Sequence, residues 1–264
     1  MLTFSLFKNR KLKKLVYWWD PIDGSYNAGD HLGRVIVEQM LTLKDKEILD
    51  KKNKNNKLLS IGSVMHFANN GDTIWGTGIN GKIDGKLHRF TTLDVRSVRG
   101  PLTRDFLIQK GIDVPEIYGD PGLLLPLFFS KDLLRKEEQT KKFLVIPHMN
   151  EGLDKYKEYS DFLCTPRQGA ISFTRQIVNS DMVISSSLHG IIIAEAYGIP
   201  AILLANQSGE AKFKFDDYYF GTGRKKYPIA SSVTEAFNIE PAEKLAIDEI
   251  IDRLFKSFPF DLWE

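Results

Sequence analysis

The stretch from Asp181 to Leu204, DMVISSSLHGIIIAEAYGIPAILL, limits what this chain can fold into more than any other. Met182-Val183-Ile184 is an apolar run of buried-strand length. Ser185, Ser186 and Ser187 supply small polar residues for a turn. After His189-Gly190, residues Ile192, Ile193, Ala196 and Tyr197 fall at helical spacing. Gly198 stops that helix, and Pro200 precedes a second apolar run, Ala201 to Leu204. Strand, turn, helix and strand make a βαβ unit, with parallel strands and a right-handed crossover. Sheets of this kind bind ligands beyond the carboxyl ends of their strands. His189 falls there, at a helix N-terminus whose amides and dipole attract anions. A titratable ring beside an anion site is an arrangement for proton transfer.

The rest of the chain alternates in the same way. Strands are expected at Lys14–Trp19, Leu58–Ile61, Thr73–Trp75, Phe90–Val98 and Glu116–Tyr118, then at Phe143–Pro147 and Asp161–Thr165. Helices are expected at His31–Leu43, with Asp30 as its cap, at Leu102–Lys110 behind Pro101, and at Gln168–Asn179. Lys212 to Tyr218 reads as a mixed charged and aromatic loop. This alternation predicts the α/β class with parallel sheets. The charged run Ser130–Lys142 looks like a connection between two halves, residues 1–130 and 141–235. The amphipathic segment Pro241–Phe258 then belongs to a last piece, residues 236–264, packing back across the halves.

Composition removes several classes. Of 264 residues, 42% are hydrophobic and 27% charged, and the net charge of +2 is that of an ordinary globular chain. No apolar run approaches the roughly 18 to 20 residues of a membrane span. Leu2 to Phe7 precede the basic residues, the reverse of a secretory signal. Cys164 is the only cysteine, which fits a reducing compartment and a cytoplasmic location. Lys8, Arg10, Lys11, Lys13 and Lys14 cluster behind Leu2, Phe4, Leu6 and Phe7. That cluster reads as a solvated face or, more sharply, as a foothold on the anionic inner surface of a membrane. No stripe of basic and aromatic residues points to nucleic acid.

Two halves with facing loops form a cleft. The loops expected there carry Asn27, Gly29, Asp30, Gly76, Gly78, Arg96, Arg99, Asp120, His148, Ser186, His189 and Lys212. Asn27 to Asp30 is a second strand-to-helix loop, which simple capping also explains. Arg99 at an Arg-Gly turn before a helix is an oxyanion clamp or a solvated arginine. Gly76 and Gly78 end a strand and allow close approach. There is no GxGxxG, no phosphate loop with GK[ST], no HxxxH, no CxxC and no GxSxG, so dinucleotide, ATP, zinc and serine-hydrolase readings have no support. Trp18, Trp19, Trp75 and Phe213 either stack on a sugar or, more commonly for such residues, fill the core.

Four segments together resemble the polysaccharide pyruvyl transferase family: NAGD (Asn27 to Asp30), VRGPLT (Val98 to Thr103), YGDPGLL (Tyr118 to Leu124) and SLHGIIIAEAYGIP (Ser187 to Pro200). They occur in the family's order. The resemblance implies two Rossmann-like halves facing a central cleft, similar to GT-B glycosyltransferases, with the acceptor on the first half and the donor on the second. It implies transfer of the enolpyruvyl unit of phosphoenolpyruvate (PEP) onto a saccharide of a cell-surface polysaccharide such as a capsule or exopolysaccharide, through a lipid-linked precursor, with no metal or organic cofactor. It further implies His189 as general acid, with Ser186, Ser187, Leu188 and Gly190 around it, Arg99 on the phosphate or carboxylate of PEP, and a role for Asp30. Asp30 and His148 both remain open as the base. Many members carry arginine where this chain has Ser187, and Arg96, Arg167, Lys212 or Arg224 stand as replacements. A GT-B nucleotide-sugar glycosyltransferase is the alternative, because Glu195 to Pro200 resembles that group's ribose-binding acid and turn. A non-catalytic sugar-binding relative is the third reading.

Overall fold

The computed structural model describes residues 2–136, 140–205 and 211–264, with side chains from residue 8 onward. The middle of the charged connection and the side chains of Leu2 to Phe7 lie outside the described residues. In chain order the elements are α1 (Leu2–Lys13), β1 (Val16–Tyr17), α2 (Ala28–Thr42), β2 (Leu58–Leu59), β3 (Thr73–Trp75), β4 (Asp94–Ser97) and α3 (Pro101–Gln109). Two short helices follow, α4 (Leu125–Phe128) and α5 (Lys131–Leu134). The second half runs β5 (Leu144–Ile146), α6 (Ala170–Val178), β6 (Val183–Ser185), α7 (Leu188–Ala196), β7 (Ala201–Leu204), α8 (Phe213–Gly221), β8 (Ile229–Ala230), α9 (Val233–Ala236) and α10 (Ile247–Lys256).

The strands form two parallel four-stranded sheets, β1-β2-β3-β4 and β5-β6-β7-β8. The chain is therefore α/β. Beyond β4, Val98 pairs with Tyr118, and this bridge is what the structure keeps of the strand expected at Glu116–Tyr118. On the second sheet, Val145 pairs with both Ile184 of β6 and Leu163. The chain thus leaves β5 toward one edge, reaches Leu163, and returns across β5 to β6. A reversal of this kind opens a crevice at the strands' carboxyl ends.

One apolar core joins the halves. It takes Leu32, Ile36 and Met40 from α2, Ile191 to Ile193 from α7, the turn Leu123 to Leu125, Trp75, and Leu254 from α10. Helix α7 is apolar on every side and buried on nearly every side, as a central helix must be. Smaller clusters cover the outer faces of the two sheets. The C-terminal piece lies on the first half: Trp75 Nε1 donates to Leu254 O at 3.0 Å, the Lys52 amide donates to Leu262 O at 2.9 Å, and Arg96 grips Asp261 with two bonds.

Three sequence expectations change. The segment expected as a loop from Lys212 is helix α8, whose buried face includes Lys214, Phe215, Asp217 and Tyr218. Two buried charges on that face hide its apolar period. The cap of α2 is Asn27, and Asp30 sits one turn in, with its carboxylate accepting from Asn27 Nδ2 at 2.6 Å. The last helix begins at Ile247.

Candidate functional site

A cleft of about 250 Å³ lies where the carboxyl ends of both sheets face each other. Most of its lining comes from the segments that connect a strand to the next helix. From the first half come Asn27 and Asp30 after β1, Ser63 after β2 and Asn80 after β3. From the second come His148 after β5, Ser187 to His189 after β6, and Lys214 after β7. The halves meet tightly behind it. A Cβ on Gly29 would lie 2.2 Å from His189 Nδ1, so the imidazole rests against the backbone of the first turn of α2. Only glycine allows that approach.

His189 is the second residue of α7 and projects between the halves. Its Nε2 is buried with no hydrogen-bond partner among the described residues, and lies 3.7 Å from Asp120 Oδ2. That spacing is too long for a hydrogen bond. Burial pushes the imidazole down to about 3, and the charges of Lys214 and Arg99 push the same way. In this setting the ring is neutral. The carboxyls move oppositely. Burial lifts Asp30 to about 7, against the pull of Lys214, and lifts Asp120 to about 6, against the Gly122 amide and Arg99. Asp120 accepts from Gly122 N at 2.8 Å, and a Cβ on Gly62 would lie 2.1 Å from Asp30 Oδ1. A neutral imidazole and two carboxyls that titrate near neutrality thus share one buried space with an ammonium group. Environments that drive pKa values apart mark acid–base sites.

Among the residues expected at the site, Asn27, Asp30, His148, Ser187, Leu188 and His189 line the cleft. Gly29 and Asp120 stand directly behind it. Ser186 is buried one layer deeper, where its hydroxyl donates to Glu151 and accepts from the His148 amide at 2.8 Å, fixing the loop after β5. Gly190 packs on Ser185 and Ile146. The amides of Gly190 and Ile191 already donate to Ser187 O, which removes them as phosphate ligands.

Five expected residues lie elsewhere. Arg99 is buried with its donors engaged: Nε to Asp217 Oδ2 at 3.0 Å, one terminal nitrogen to Ser63 Oγ at 2.7 Å, and the other to Ile79 O at 2.8 Å. It locks the halves together behind Ser63 and does not face the cleft. Gly78 packs on that guanidinium and Gly76 on Pro121. Arg96 pairs with Asp94 and Asp261 on the surface, and Lys212 is an exposed partner of Asp216. The replacements proposed for the missing arginine fare no better. Arg167 pairs with Asp23 on the rim, and Arg224 is buried against Glu195. Lys214 is the cation in the lining. Its signal in the sequence was its spacing of i, i+3 from Asp217, which puts both on one helix face. The Glu195 carboxylate, bound by Arg224 at 2.6 and 2.8 Å and by Tyr218 Oη at 2.5 Å, is closed to a ribose. Trp18 and Trp75 are core residues, Phe213 packs on Gly81, and Trp19 reaches the cleft.

Among the described residues, no group of three or more His, Cys, Asp or Glu side chains is arranged to hold a metal, and no helix is long and apolar enough to cross a membrane. Comparison with known proteins finds relatives in sequence and a likeness to a solved structure. An uncharacterized protein of Acanthamoeba polyphaga mimivirus, L143, is 28% identical over 218 residues, covering 76% of this chain and 73% of its own. The succinoglycan biosynthesis protein ExoV of Rhizobium meliloti (strain 1021) is 28% identical over 132 residues, 47% of this chain and 39% of ExoV. A crystal structure of a functionally uncharacterized Klebsiella pneumoniae protein aligns over 88% of this chain and 98% of its own, with a TM-score of 0.45 and 13% identity. The family model for polysaccharide pyruvyl transferase matches residues 27–208, which contain Asp30, Asp120 and His189. This chain belongs to the polysaccharide pyruvyl transferase family.

Proposed function

We propose that the protein transfers the enolpyruvyl unit of PEP onto a saccharide of a cell-surface polysaccharide precursor, forming a pyruvate ketal and releasing phosphate. The observation that carries this reading is the imidazole of His189, neutral and without a hydrogen-bond partner at Nε2 among the described residues, in one cleft with Asp30 and Lys214 and backed by Asp120. Family membership and similarity to ExoV support it.

PEP is an enol ester. Protonation of its methylene carbon leaves positive charge on the adjacent carbon. An acceptor hydroxyl attacks there and gives its proton to a base. The bond to the phosphate oxygen then breaks, phosphate departs, and a second hydroxyl closes the ketal with loss of its proton. His189 is the donor in this scheme. Burial, with the charges of Lys214 and Arg99, holds it neutral, and the negative charge of PEP beside it raises its affinity for the proton that it hands on. Asp30, half ionised near pH 7, suits a base whose operating range is neutral. Lys214 takes the place of the family's arginine and attracts the phosphate or carboxylate. No cofactor enters. The halves in this reading are arranged as in GT-B enzymes, with the donor on the second half and the acceptor on the first. The acceptor is lipid-linked and met at the cytoplasmic face of a membrane, where exposed Lys8, Arg10, Lys11 and Lys14 touch anionic lipid.

The test is phosphate release from PEP with a panel of free and lipid-linked saccharides. His189→Ala is expected to fold normally and to lose about 10²- to 10⁴-fold in turnover, the usual contribution of a positioned acid. Lys214→Ala is expected to raise the KM for PEP, with Lys214→Arg restoring part of it. Near-native turnover in His189→Ala would remove the acid assignment, and no release from the wild type with any acceptor would remove the reaction.

A further inference from the structure

Phe67 is unusual within the cleft. It is a large apolar ring, 39% exposed, in a lining of mixed polar and apolar residues. It closes a tight helical turn, Met65–Phe67, directly after the β2 loop. Two rings hold it from behind: Tyr17 of β1, with centroids 5.1 Å apart, and His66, at 4.1 Å. His66 in turn meets the buried His88 edge-on at 6.1 Å. The result is a ledge of packed rings. Trp19, His66 and Phe67 all line the cleft from the first half, and His148, Ser187 and Lys214 line it from the second.

We infer that this ledge is the acceptor subsite, and that it takes a neutral hexopyranose laid with its C–H face on Phe67. This rests on the transferase reading above. An aromatic face carries negative quadrupole charge and attracts the weakly positive axial C–H bonds of a pyranose, while the ring's hydroxyls project sideways to polar groups. Asn80 and Ser63 are such groups in the same wall, and Asp30 lies beside them to receive a hydroxyl proton. Neutrality follows from charge. Among the described residues, the first half contributes no lysine or arginine to the lining and one acid, Asp30. The cation of the cleft, Lys214, comes from the second half. A uronic acid on the ledge would face the Asp30 carboxyl and would compete with Asp30 and PEP for the charge of Lys214. The packed support matters as well: a ring held by two neighbours keeps its orientation before the sugar arrives, so little side-chain freedom is lost on binding.

Saturation-transfer NMR with methyl β-glucopyranoside, methyl β-galactopyranoside and methyl β-glucuronide tests this without PEP. Transfer to at least one neutral glycoside is expected in the wild type, with a loss of about fivefold or more in affinity in Phe67→Ala and recovery in Phe67→Trp. Thermal shift by PEP should be the same in all three proteins. Affinity for the neutral glycosides unchanged in Phe67→Ala, equal binding of the glucuronide, or no transfer from either neutral glycoside would overturn the subsite. A PEP shift missing from the wild type while Phe67-dependent sugar binding persists would instead remove the donor assignment and leave the ledge standing.

Discussion

The two halves present the same architecture to the cleft and build it differently. In the second half, β5, β6 and β7 are buried at every residue, and the turn after β6 is pinned by Ser185, Ser186 and Glu151. In the first half, β1 and β2 have two residues each, and β4 is mostly half-exposed. Its cleft wall consists of loops, a packed-ring ledge and Asp30. The chain reverses direction across the second sheet at β5, which gives that half a crevice of its own. Rigid, dry surroundings suit the group that must carry a proton, because orientation and low polarity both act on the transition state. A wall of loops and one exposed ring suits recognition of a partner that varies. In the proposed reading the second half carries the acid and the donor-binding cation, and the first half carries the base and the selection of the acceptor.

The strongest way to break this division is to cut what holds the halves together. Asp217 of α8 receives Arg99 from the first half, and also accepts from Thr103 N at 2.9 Å and Thr103 Oγ1 at 2.7 Å. Both members of the ion pair are buried. Asp217→Ala leaves a buried guanidinium without its counter-charge, a change that costs about 3–5 kcal/mol. Thermal unfolding should fall by about 10 °C or more. Lys214 sits one turn earlier on the same helix, so the KM for PEP should rise in any protein that remains folded. A loss of under about 3 °C would mean that α8 docks through its apolar contacts alone.

The next test uses opposite pH signatures. Asp30 belongs to the first half, and burial raises its carboxyl from 3.8 to about 7. The folded protein therefore binds more protons than the unfolded chain across that window, and stability falls as pH rises from about 4 to 7, with the full penalty above 7. His189 belongs to the second half, and burial lowers it from 6.5 to about 3. There the folded protein binds fewer protons, and stability is lost as pH falls through that window. Asp30→Asn removes the first penalty. It should stabilise the protein by about 2 kcal/mol at pH 8, roughly half of what the full shift implies, should converge with the wild type near pH 4, and should lose turnover. Denaturant unfolding at the two pH values measures this. A variant less stable than the wild type at pH 8 would show that the carboxylate is held by favourable contacts.

Much of the second half was legible in the sequence because its signals agree. Gly198 adopts φ of 67° at the expected helix stop, and β7 occupies Ala201–Leu204 as the apolar run indicates. His189 reaches the cleft for the reason first given, that a βαβ turn delivers its residue to the strands' carboxyl ends. What the sequence hid was long-range charge. Lys214 and Asp217 look like solvent-facing residues, and both are buried: Asp217 pairs with Arg99 and Lys214 acts on Asp30, each far away in the chain. Arg99 looked like an anion clamp because its turn is right for one, yet Asp217, Ser63 and Ile79 already fill its fork. The ledge at Phe67 escaped for a similar reason: Tyr17 lies far from it in the chain and near it in space.

The smallest expected effect concerns a second bridge between the halves, at the rim. Arg167 donates to Asp23 Oδ2 at 3.0 Å, to Ser25 Oγ at 3.1 Å and to Met149 O at 3.3 Å, joining the loop after β1 to the loop after β5 and the loop before α6. The Ala28 amide donates to Pro166 O at 2.8 Å beside it. Asp23 and Arg167 are both exposed, and serine and arginine hold the Asp23 carboxyl below its usual range. Exposed pairs are screened by water and salt and contribute little to folding. Arg167→Ala should therefore shift the melting temperature by under about 2 °C, unlike Asp217→Ala, although both remove an ionic link between the same halves. In the proposed reading its effect should appear in the KM for the saccharide, and raising the salt concentration should reproduce the effect in the wild type. A melting temperature as low as that of Asp217→Ala would show that the rim holds the halves as firmly as the buried pair does, and the contrast between a rigid interior and an adaptable mouth would fail.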